Sequence, residues 1–439
     1  MRRALLGMAV AFVVVAAPGW AAGSGPRAAG VRVSSGEAVL TIWSEQRPRH
    51  VMVRGARGWR YARGVVFRRH RVRVTVPVSR HARAVRVLVV RWHGSTHLRV
   101  VLRDAPAAQP CGPEVDPPPG ERPPACWRPY GATSPFNLEL PAEPVLDPRT
   151  ADIVDVVTSH GPPQHIPVGW AGTSDDWGRP AYFAHPDDPP YVLHCTMPWG
   201  RCPIEGMTIR LPAGARPAGA EDAHLTVIDA GWVYGLWGVS SLPPGGGELD
   251  FAYGGRTALD GDGVGVDRVN GGNAAGFGAA AGILRAEELA AGQIDHALAI
   301  TVLCVDGTFV YPAIHTGAAC PTEAERARAP AMGQRLQLTM SDDEIDALDA
   351  PAWKKTILRA MAHYGMIVAD TGGDSWSIEF ESGVEYLSFG EPDRWVELAK
   401  AWDAPFSPKW GAYALMIRDG IDWPRRLQAV APCVSARTC

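Results

Sequence analysis

Apolar and polar residues alternate along most of this 439-residue chain, which is the pattern of β-strands. Between residues 27 and 104 valines alternate with arginines, as in HRVRVTV. Such a strand presents apolar side chains on one face and guanidinium groups on the other. Several short strands of this kind at regular spacing predict a small antiparallel β-sandwich over residues 27–104.

Residues 126–439 carry the same alternation in shorter segments, separated by glycine and proline. Examples are HLTVIDAGWVYGLWGV, ELDFAYGG, IDHALAITVLCV and SWSIEFES. About 310 residues are enough to bury one large core. We therefore predict a mainly β protein whose second domain is a larger jelly-roll-like β-sandwich with a few helices.

Helical periodicity is strongest between residues 341 and 365. Ser341 and Glu344 have the spacing of a capping box, and Pro351 marks a second helix start. An apolar row then runs to Gly365, where the helix is expected to end. The row consists of Trp353, Ile357 and Met361. Two shorter helices are predicted in GILRAEELAAG and PDRWVELAKAW.

The beginning of the chain has the pattern of a secretory signal peptide, residues 1–21. Two arginines precede an apolar run and a small-x-small motif, so cleavage is expected after Ala21. The apolar run is too short to span a bilayer, and we predict a secreted protein without a transmembrane segment. A proline-rich stretch, residues 105–125, is predicted to be an extended linker between the two domains.

The eight cysteines all lie after residue 110 and form four couples that are close in sequence. An even number of cysteines in an exported protein is typical of disulfide bonds. We predict a local bond within each couple, although other connectivities are open. The couples are Cys111 with Cys126, Cys195 with Cys202, Cys304 with Cys320, and Cys433 with Cys439.

Charge is distributed unevenly along the chain. Residues 27–104 contain 18 arginines, no lysine and three acids, a formal charge of +15, whereas the whole chain has a formal net charge of −3. The near-neutral total therefore combines a basic domain with an acidic one.

Titratable residues stand at the ends of three predicted strands. His296 begins the apolar row of QIDHALAITV, Asp229 ends that of HLTVIDAGW, and Asp370 ends YGMIVAD. If these ends meet at a cleft, Asp229 and Asp370 are candidate catalytic carboxylates and His296 a candidate base or orienting group. The structural alternatives are a buried histidine bound to a backbone carbonyl and aspartates that cap turns.

Aromatic residues follow Asp229 directly, and rings beside a carboxylate are typical of sugar-binding sites. The predicted substrate-binding residues are Trp232, Tyr234, Trp237 and Arg268. A glycoside hydrolase uses two carboxylates that flank the glycosidic bond. A polysaccharide lyase instead needs a base and a cation that neutralises a uronate, and His296 with Tyr234 or Arg268 is the candidate set.

The loop DGDGVGVDRVNGG is the only candidate metal site in the sequence. Its predicted calcium ligands are Asp260, Asp262 and Asp267, although Val264 and Gly271 occupy positions where an EF-hand has ligands. A structural calcium and a simple glycine-rich loop are both open, and no other cofactor is indicated. Motifs for nucleotide binding, nucleophile elbows and zinc proteases are absent from the sequence.

Three sequence blocks resemble a family of exported bacterial proteins that is common in actinobacteria. The blocks are GGNAAGFGAAAGILRAEELAAGQIDHALAITV, PAMGQRLQLTM and ILRAMAHYGMIVADTGGDSW, and the similarity covers about residues 225–410. Members often carry immunoglobulin-like accessory domains, which residues 27–104 resemble in size and pattern. The resemblance implies extracellular placement and provides no activity or catalytic residues.

These patterns together lead to the hypothesis of an exported carbohydrate-active protein. The leading interpretation is an enzyme that cleaves a polysaccharide or cell-envelope glycan, as a hydrolase or a lyase. Its support is a disulfide-bonded β scaffold with 16 tryptophans and with acids near aromatic rings. The alternative is a non-catalytic glycan-binding or cell-surface attachment protein. Nucleic acid is not an expected partner, because no reader motif is present.

The basic domain generates a prediction of its own. Its positive charge is expected to bind an anionic cell-envelope polymer, with the acidic domain of the same chain as the alternative partner. The isolated segment Arg27–Asp104 should therefore bind cell-wall material in a pull-down at low salt and release it at about half-molar salt, because salt screens both attractions. Binding to the separated 127–439 fragment instead would favour the internal partner, and salt-insensitive binding would contradict a charge-based mechanism.

Overall fold

The structure, a computed structural model, describes the chain in ten segments. These are residues 27–34, 37–44, 47–55, 58–68, 71–77, 84–90, 95–101, 117–198, 201–264 and 273–439. The predicted signal peptide and residues 105–116 of the predicted linker lie outside them. The chain divides into two compact units, Met1–Gln109 and Pro110–Cys439. Within the described residues no helix has the length and apolar character needed to cross a membrane.

The small unit is built from two four-stranded antiparallel sheets. Its strands are β1 (Arg27–Ser34), β2 (Glu37–Trp43), β3 (His50–Gly55), β4 (Gly58–Tyr61), β5 (Arg63–Arg68), β6 (Arg71–Pro77), β7 (Ala84–Val90) and β8 (Ser95–Val101). The sheet orders are β1-β2-β6-β5 and β4-β3-β7-β8.

The two sheets of the small unit share one apolar core. Leu40 and Val74 of the first sheet and Val51 and Val87 of the second are buried in the same cluster. This burial follows from the alternation of valine and arginine, because period two places every second side chain on the inner face. The predicted β-sandwich is confirmed for this unit.

The large unit contains shorter strands in several sheets. They are β9 (Ile166–Val168), β10 (Ala181–Phe183), β11 (Pro190–Cys195), β12 (Thr208–Arg210), β13 (Leu225–Asp229), β14 (Trp232–Trp237), β15 (Gly247–Phe251), β16 (Tyr253–Ala258), β17 (Leu298–Val302), β18 (Arg335–Leu338), β19 (Met366–Thr371), β20 (Ser377–Ile378), β21 (Phe406–Ser407), β22 (Ala412–Leu415) and β23 (Leu427–Val430).

Short helices connect these strands. They are α1 (Thr150–Thr158), α2 (Ala286–Ala291), α3 (Glu323–Arg326), α4 (Asp342–Asp346), α5 (Ala352–His363), α6 (Val384–Ser388), α7 (Arg394–Ala401), α8 (Trp423–Arg426) and α9 (Pro432–Ser435). The mainly β prediction is confirmed.

The sheets of the large unit mix parallel and antiparallel strands. Their orders are β10-β13-β14-β16, β12-β11-β15, β20-β17-β19-β18-β23 and β21-β22-β9. Strands β10 and β13, β11 and β15, and β17 and β19 pair in parallel. A jelly roll is antiparallel, so the topology differs from it in these three pairs. Parallel pairing needs a crossover between the strands, and the turn signals of the sequence do not show which strands a crossover joins.

The predicted helices are present where the apolar periodicity placed them. The Ser341 side chain caps α4, with a capping box to Glu344. The apolar row predicted before Gly365 is buried along α5. Gly292 ends α2 in the left-handed conformation, with φ of 76°. The next strand begins later than predicted, at Leu298, so His296 precedes it.

Three of the four predicted disulfide pairs are present. Cys195 and Cys202, Cys304 and Cys320, and Cys433 and Cys439 are joined. Cys126 is also disulfide-bonded, and its predicted partner Cys111 lies outside the described residues.

The end of the predicted linker belongs to the large unit. Gly120 donates from its backbone nitrogen to the Ala184 carbonyl at 2.9 Å. Arg122 forms ion pairs with Glu287, Glu381 and Glu385 at 3.0, 2.5 and 3.4 Å. Residues 117–125 therefore do not act as a free spacer, because a guanidinium group in this segment is the counter-ion of three carboxylates. The proline content of the segment carries no signal for this charge pairing.

We predict that replacing Arg122 destabilises the large unit. Arg122→Met leaves the Glu287 carboxylate, whose pKa the guanidinium group lowers to about 2 against the effect of burial, and the almost fully buried Glu381 without this cation. Breaking a buried ion pair from one side costs about 3 kcal/mol or more, measured as the free energy of unfolding in urea. Arg328→Met is the matched control, because Arg328 pairs with two carboxylates at the surface and its loss is expected to have little effect. Equal losses in both variants would contradict the prediction.

Candidate functional site

A cleft of about 800 Å³ is the main candidate site in the described part of the chain. Its walls come from the carboxyl end of β19, from β20, from the residues before β13 and from the loop between β9 and β10. The cleft lies where the five-stranded sheet meets the sheet that contains β13 and β14. A concave site of this size accommodates a small molecule or several residues of a chain.

A buried arginine connects the polar groups of the cleft. The Arg179 side chain is 8% exposed and donates to Asp370 Oδ2 at 3.2 Å. Its Nε also pairs with Glu379, whose second carboxylate oxygen accepts from Thr301 Oγ1 at 3.2 Å. A further guanidinium nitrogen donates to His224 Nδ1 at 3.2 Å. Arg179 therefore holds two carboxylates and an imidazole around one positive charge.

A β-bulge orients Asp370 towards this cluster. Ile300 pairs with Val368 and Thr301 pairs with Asp370, so Ala369 is an extra residue in β19. A bulge redirects the side chain that follows it. Asp370 Oδ1 accepts from the Thr371 backbone nitrogen at 2.8 Å, which leaves the carboxyl group fixed at the end of the strand.

The environment of Asp370 favours its protonated form. Burial raises the pKa of Asp370 to about 6, because lost hydration outweighs the attraction of Arg179, and the charges of Glu379 and Asp222 add to the rise. A carboxyl group with this pKa carries a proton in mildly acidic solution and can release it near neutrality. Asp370 can therefore act as a general acid.

His224 is neutral and is positioned by a hydrogen bond from Arg179. Burial and then the charge of Arg179 lower the pKa of His224 well below its usual value. Because arginine only donates, Nδ1 must accept, which places the proton on Nε2. That nitrogen lies 3.9 Å from Asp222 Oδ2, while Asp222 Oδ1 accepts from Trp237 Nε1 at 2.7 Å. Trp237 thus orients the Asp222 carboxylate at the cleft wall, and the His224 ring lies beside it.

Aromatic side chains surround the polar centre. They are Trp170, Trp177, Trp237 and Tyr253. Trp177 is 55% exposed although its ring is large and apolar. Rings that line a polar cleft can stack on the apolar faces of sugars.

The structure does not bring Asp229, His296 and Asp370 together. Of the three, Asp370 lines the cleft. Asp229 Oδ2 accepts from the Arg210 backbone nitrogen at 2.8 Å, so it secures the neighbouring strand. His296 lies before the amino end of β17 and Asp370 at the carboxyl end of the paired β19, which separates them by about 16 Å. The prediction of one shared site for all three is therefore corrected.

His296 belongs to a buried ion cluster. Its side chain is 4% exposed, with Nε2 3.1 Å from Glu288 Oε1 and Nδ1 2.9 Å from the Ala297 carbonyl oxygen. Burial disfavours the charged imidazole, but Glu288 raises the pKa of His296 above its usual value. Arg285 completes the cluster at 3.2 Å from Glu288. This arrangement corresponds to the structural alternative of a satisfied buried histidine.

The predicted substrate-binding residues also separate. Trp237 lines the cleft. Trp232 lies outside it, under the guanidinium group of Arg256 at 3.8 Å from the ring centroid. Tyr234 is buried in a second core cluster. Neighbours along β14 alternate between the faces of the sheet, so closeness in sequence did not indicate a shared surface. Arg268 lies outside the described residues.

The predicted calcium ligands form no ligand cluster among the described residues. Asp262 Oδ1 accepts from the Val264 backbone nitrogen at 2.9 Å, as in a turn, and Asp260 is exposed. Asp267 is not described. In the described part of the chain, the one group with metal-ligand spacing is Cys195, Cys202 and Glu205, and its two sulfurs are joined in a disulfide bond. The calcium site stays a prediction.

Sequence reasoning missed most of the cluster. Arg179, Asp222, His224 and Glu379 were not candidates, because ion pairs between distant segments leave no local pattern. A weak signal exists in SWSIEFES, where Glu379 and Glu381 share one face of a predicted strand whose other face is apolar. Two acids on one face of such a strand indicate either a solvent-facing edge or a charged site.

Comparisons of the chain with known protein families, with curated proteins and with solved structures find no significant match. The resemblance of residues 225–410 to an exported bacterial family therefore stays a prediction, and the candidate site is interpreted from its own geometry.

We predict that Asp370→Asn stabilises the protein in a pH-dependent manner. An unfolded aspartate ionises near pH 3.9, whereas folding holds Asp370 protonated up to about pH 6. Ionisation of Asp370 therefore costs stability as pH rises between these values, and asparagine removes this cost. Relative to wild type, the unfolding free energy of the variant should rise by about 1–3 kcal/mol between pH 4 and about pH 7.

The matched control is Asp374→Asn, which removes a carboxylate at the exposed rim of the same cleft. An equal change in both variants would show that overall charge, and not the Arg179 cluster, is the cause. The measurement is urea unfolding at a series of pH values.

Proposed function

We propose that this protein is a glycoside hydrolase that acts on a neutral glycan. The observation that carries the proposal is the combination, in one cleft, of a carboxyl group with a raised pKa, a second carboxylate on the same arginine, and aromatic rings on the walls. Glycoside hydrolysis needs two carboxyl groups in different protonation states beside a surface that binds sugars.

In the proposed reaction Asp370 is the general acid and Glu379 the nucleophile. Glu379 attacks the anomeric carbon while Asp370 gives its proton to the departing glycosidic oxygen. Water then attacks the anomeric carbon while Asp370 accepts a proton from it; the bond to Glu379 breaks, which releases the Glu379 carboxylate and the sugar with its new hydroxyl group. Arg179 pairs with both carboxylates and positions them.

Sharing of one guanidinium group supports a retaining mechanism. Both carboxylates accept from nitrogens of the same guanidinium group, which keeps them close together. Retaining enzymes have carboxyl groups about 5 Å apart, and inverting enzymes leave about 6.5–9.5 Å for a water molecule. The expected product therefore has the same anomeric configuration as the substrate.

The charge of the cleft favours a neutral substrate over a uronate. Asp175, Asp222 and Asp374 line it together with the two carboxylates bound to Arg179. Arg179 is already engaged by both of them, and His224 is neutral. A lyase needs a cation that is available to neutralise a uronate carboxylate, and an anionic glycan would be repelled by this surface.

Disulfide bonds are compatible with an extracellular location, where glycans of the cell envelope or of the surroundings are accessible. The predicted signal peptide supports the same location. The basic residues 27–104 are better suited than this cleft to bind an anionic envelope polymer.

We predict that the full-length protein releases reducing ends from a neutral polysaccharide, tested on a panel of dextran, xylan, mannan and mixed-linkage glucan beside pectate and alginate. Asp370→Asn and Glu379→Gln should each lower kcat/KM about a thousandfold, because each removes one of the two chemical groups. Asp229→Asn, a carboxylate outside the cleft, should retain activity. Activity should fall as pH rises above about 6, where Asp370 loses its proton.

Three outcomes would contradict the proposal. Unsaturated products from pectate or alginate would indicate a lyase. Retention of a glycan without release of reducing ends would indicate a binding protein. Inversion of the anomeric centre, measured by NMR of the first product, would assign the second catalytic role to a more distant carboxylate such as Asp222 and not to Glu379.

A further inference from the structure

We propose that the hairpin Phe406–Tyr413, termed the aromatic hairpin, extends the cleft as a binding surface for further residues of a glycan chain. The inference rests on the proposed function and adds a substrate class to it: a polysaccharide chain that continues out of the cleft, in preference to a short oligosaccharide. The hairpin consists of β21, the first two residues of β22 and the loop that joins them.

The aromatic hairpin is attached directly to the wall of the cleft. Trp170 Nε1 donates to the Trp410 carbonyl oxygen at 2.7 Å. The Trp410 ring stacks on the His165 ring, with centroids 6.4 Å apart and planes 21° apart. Strand β22 also pairs with β9, whose residues Ile166 and Pro167 line the cleft. The Trp410 ring therefore continues the surface that Trp170 and His165 begin.

Two large rings of the hairpin face solvent. Trp410 is 53% exposed and Phe406 is 50% exposed. Phe406 packs against Tyr413 with centroids 4.9 Å apart, and the Lys409 ammonium lies 5.9 Å from the Trp410 ring centroid. Exposed rings with polar neighbours can stack on the C–H faces of a pyranose while its hydroxyl groups stay hydrated.

The turn holds Trp410 in a defined position. The backbone nitrogens of Trp410 and Gly411 donate to the Ser407 carbonyl oxygen at 3.2 and 2.8 Å. Gly411 has a φ of +66°, a conformation that glycine adopts without steric cost. A ring that is fixed before binding loses little conformational entropy when a sugar stacks on it.

A glycan chain fits this surface better than a protein partner does. A stable protein interface buries about 800 Å² on each side, more than two exposed rings provide. The surface is narrow and continuous with the aromatic walls of the cleft. A linear chain bound at the catalytic carboxylates would reach the hairpin through its further sugar residues in one direction.

The test compares a long and a short substrate with the full-length protein. In Trp410→Ala, kcat/KM for the neutral polysaccharide of the panel that the wild type cleaves best should fall about tenfold. For an aryl glycoside of the monosaccharide in that polysaccharide, kcat/KM of Trp410→Ala should stay within about twofold of wild type, because this substrate does not reach the hairpin. Trp410→Phe keeps an aromatic ring and should restore most of the polysaccharide activity.

Phe309→Ala is the matched control, because Phe309 is 51% exposed and does not line the cleft. It should leave both substrates unaffected. Equal losses on the long and the short substrate in Trp410→Ala, or no loss on either, would overturn the role of the hairpin while the hydrolase activity of the wild type stands. A wild type that cleaves no neutral glycan overturns the proposed function, and the inference with it.

Discussion

The burial of one positive charge, the guanidinium group of Arg179, is the constraint on which the candidate site depends. A buried cation is stable only with counter-ions and satisfied hydrogen bonds. Asp370, Glu379 and His224 provide these from the end of β19, the end of β20 and the residue before β13. Because these segments belong to two different sheets, the ion cluster fixes how the walls of the cleft face each other.

The same cluster contains more acidic groups than basic ones, and burial together with this imbalance raises the pKa of Asp370. Two carboxylates share Arg179, and Asp222 lies close enough to act on Asp370. As a result Asp370 resists ionisation, and forcing it to ionise at neutral pH lowers the stability of the folded protein. Stability alone does not explain such an arrangement, whereas the proposed proton transfer to a leaving group would use it.

Local signals made the fold predictable, and distant contacts made the site largely unpredictable. Alternation in the small unit, the capping box at Ser341 and three disulfide pairs are properties of a few neighbouring residues, and all are present. Asp370 could be proposed because a strand followed by two glycines presents its last side chain at a sheet end. Arg179 could not, because its partner Asp370 lies 191 residues away. His296 was misplaced because the alternation of faces was assumed to begin before the true start of β17 at Leu298.

The comparison of Arg179 with Arg122 shows why a perturbed pKa alone does not define a site. Arg122 also gathers carboxylates, and burial raises the pKa of Glu381 to about 7. Glu381 does not line the cleft, whereas Asp370 lines it and its side chain is 27% exposed. A proton on Glu381 has no route to a substrate, so this cluster can only join the segment before Cys126 to the large unit. Access to an aromatic-lined cleft, and not the shift itself, separates the group that can catalyse from the group that can only stabilise.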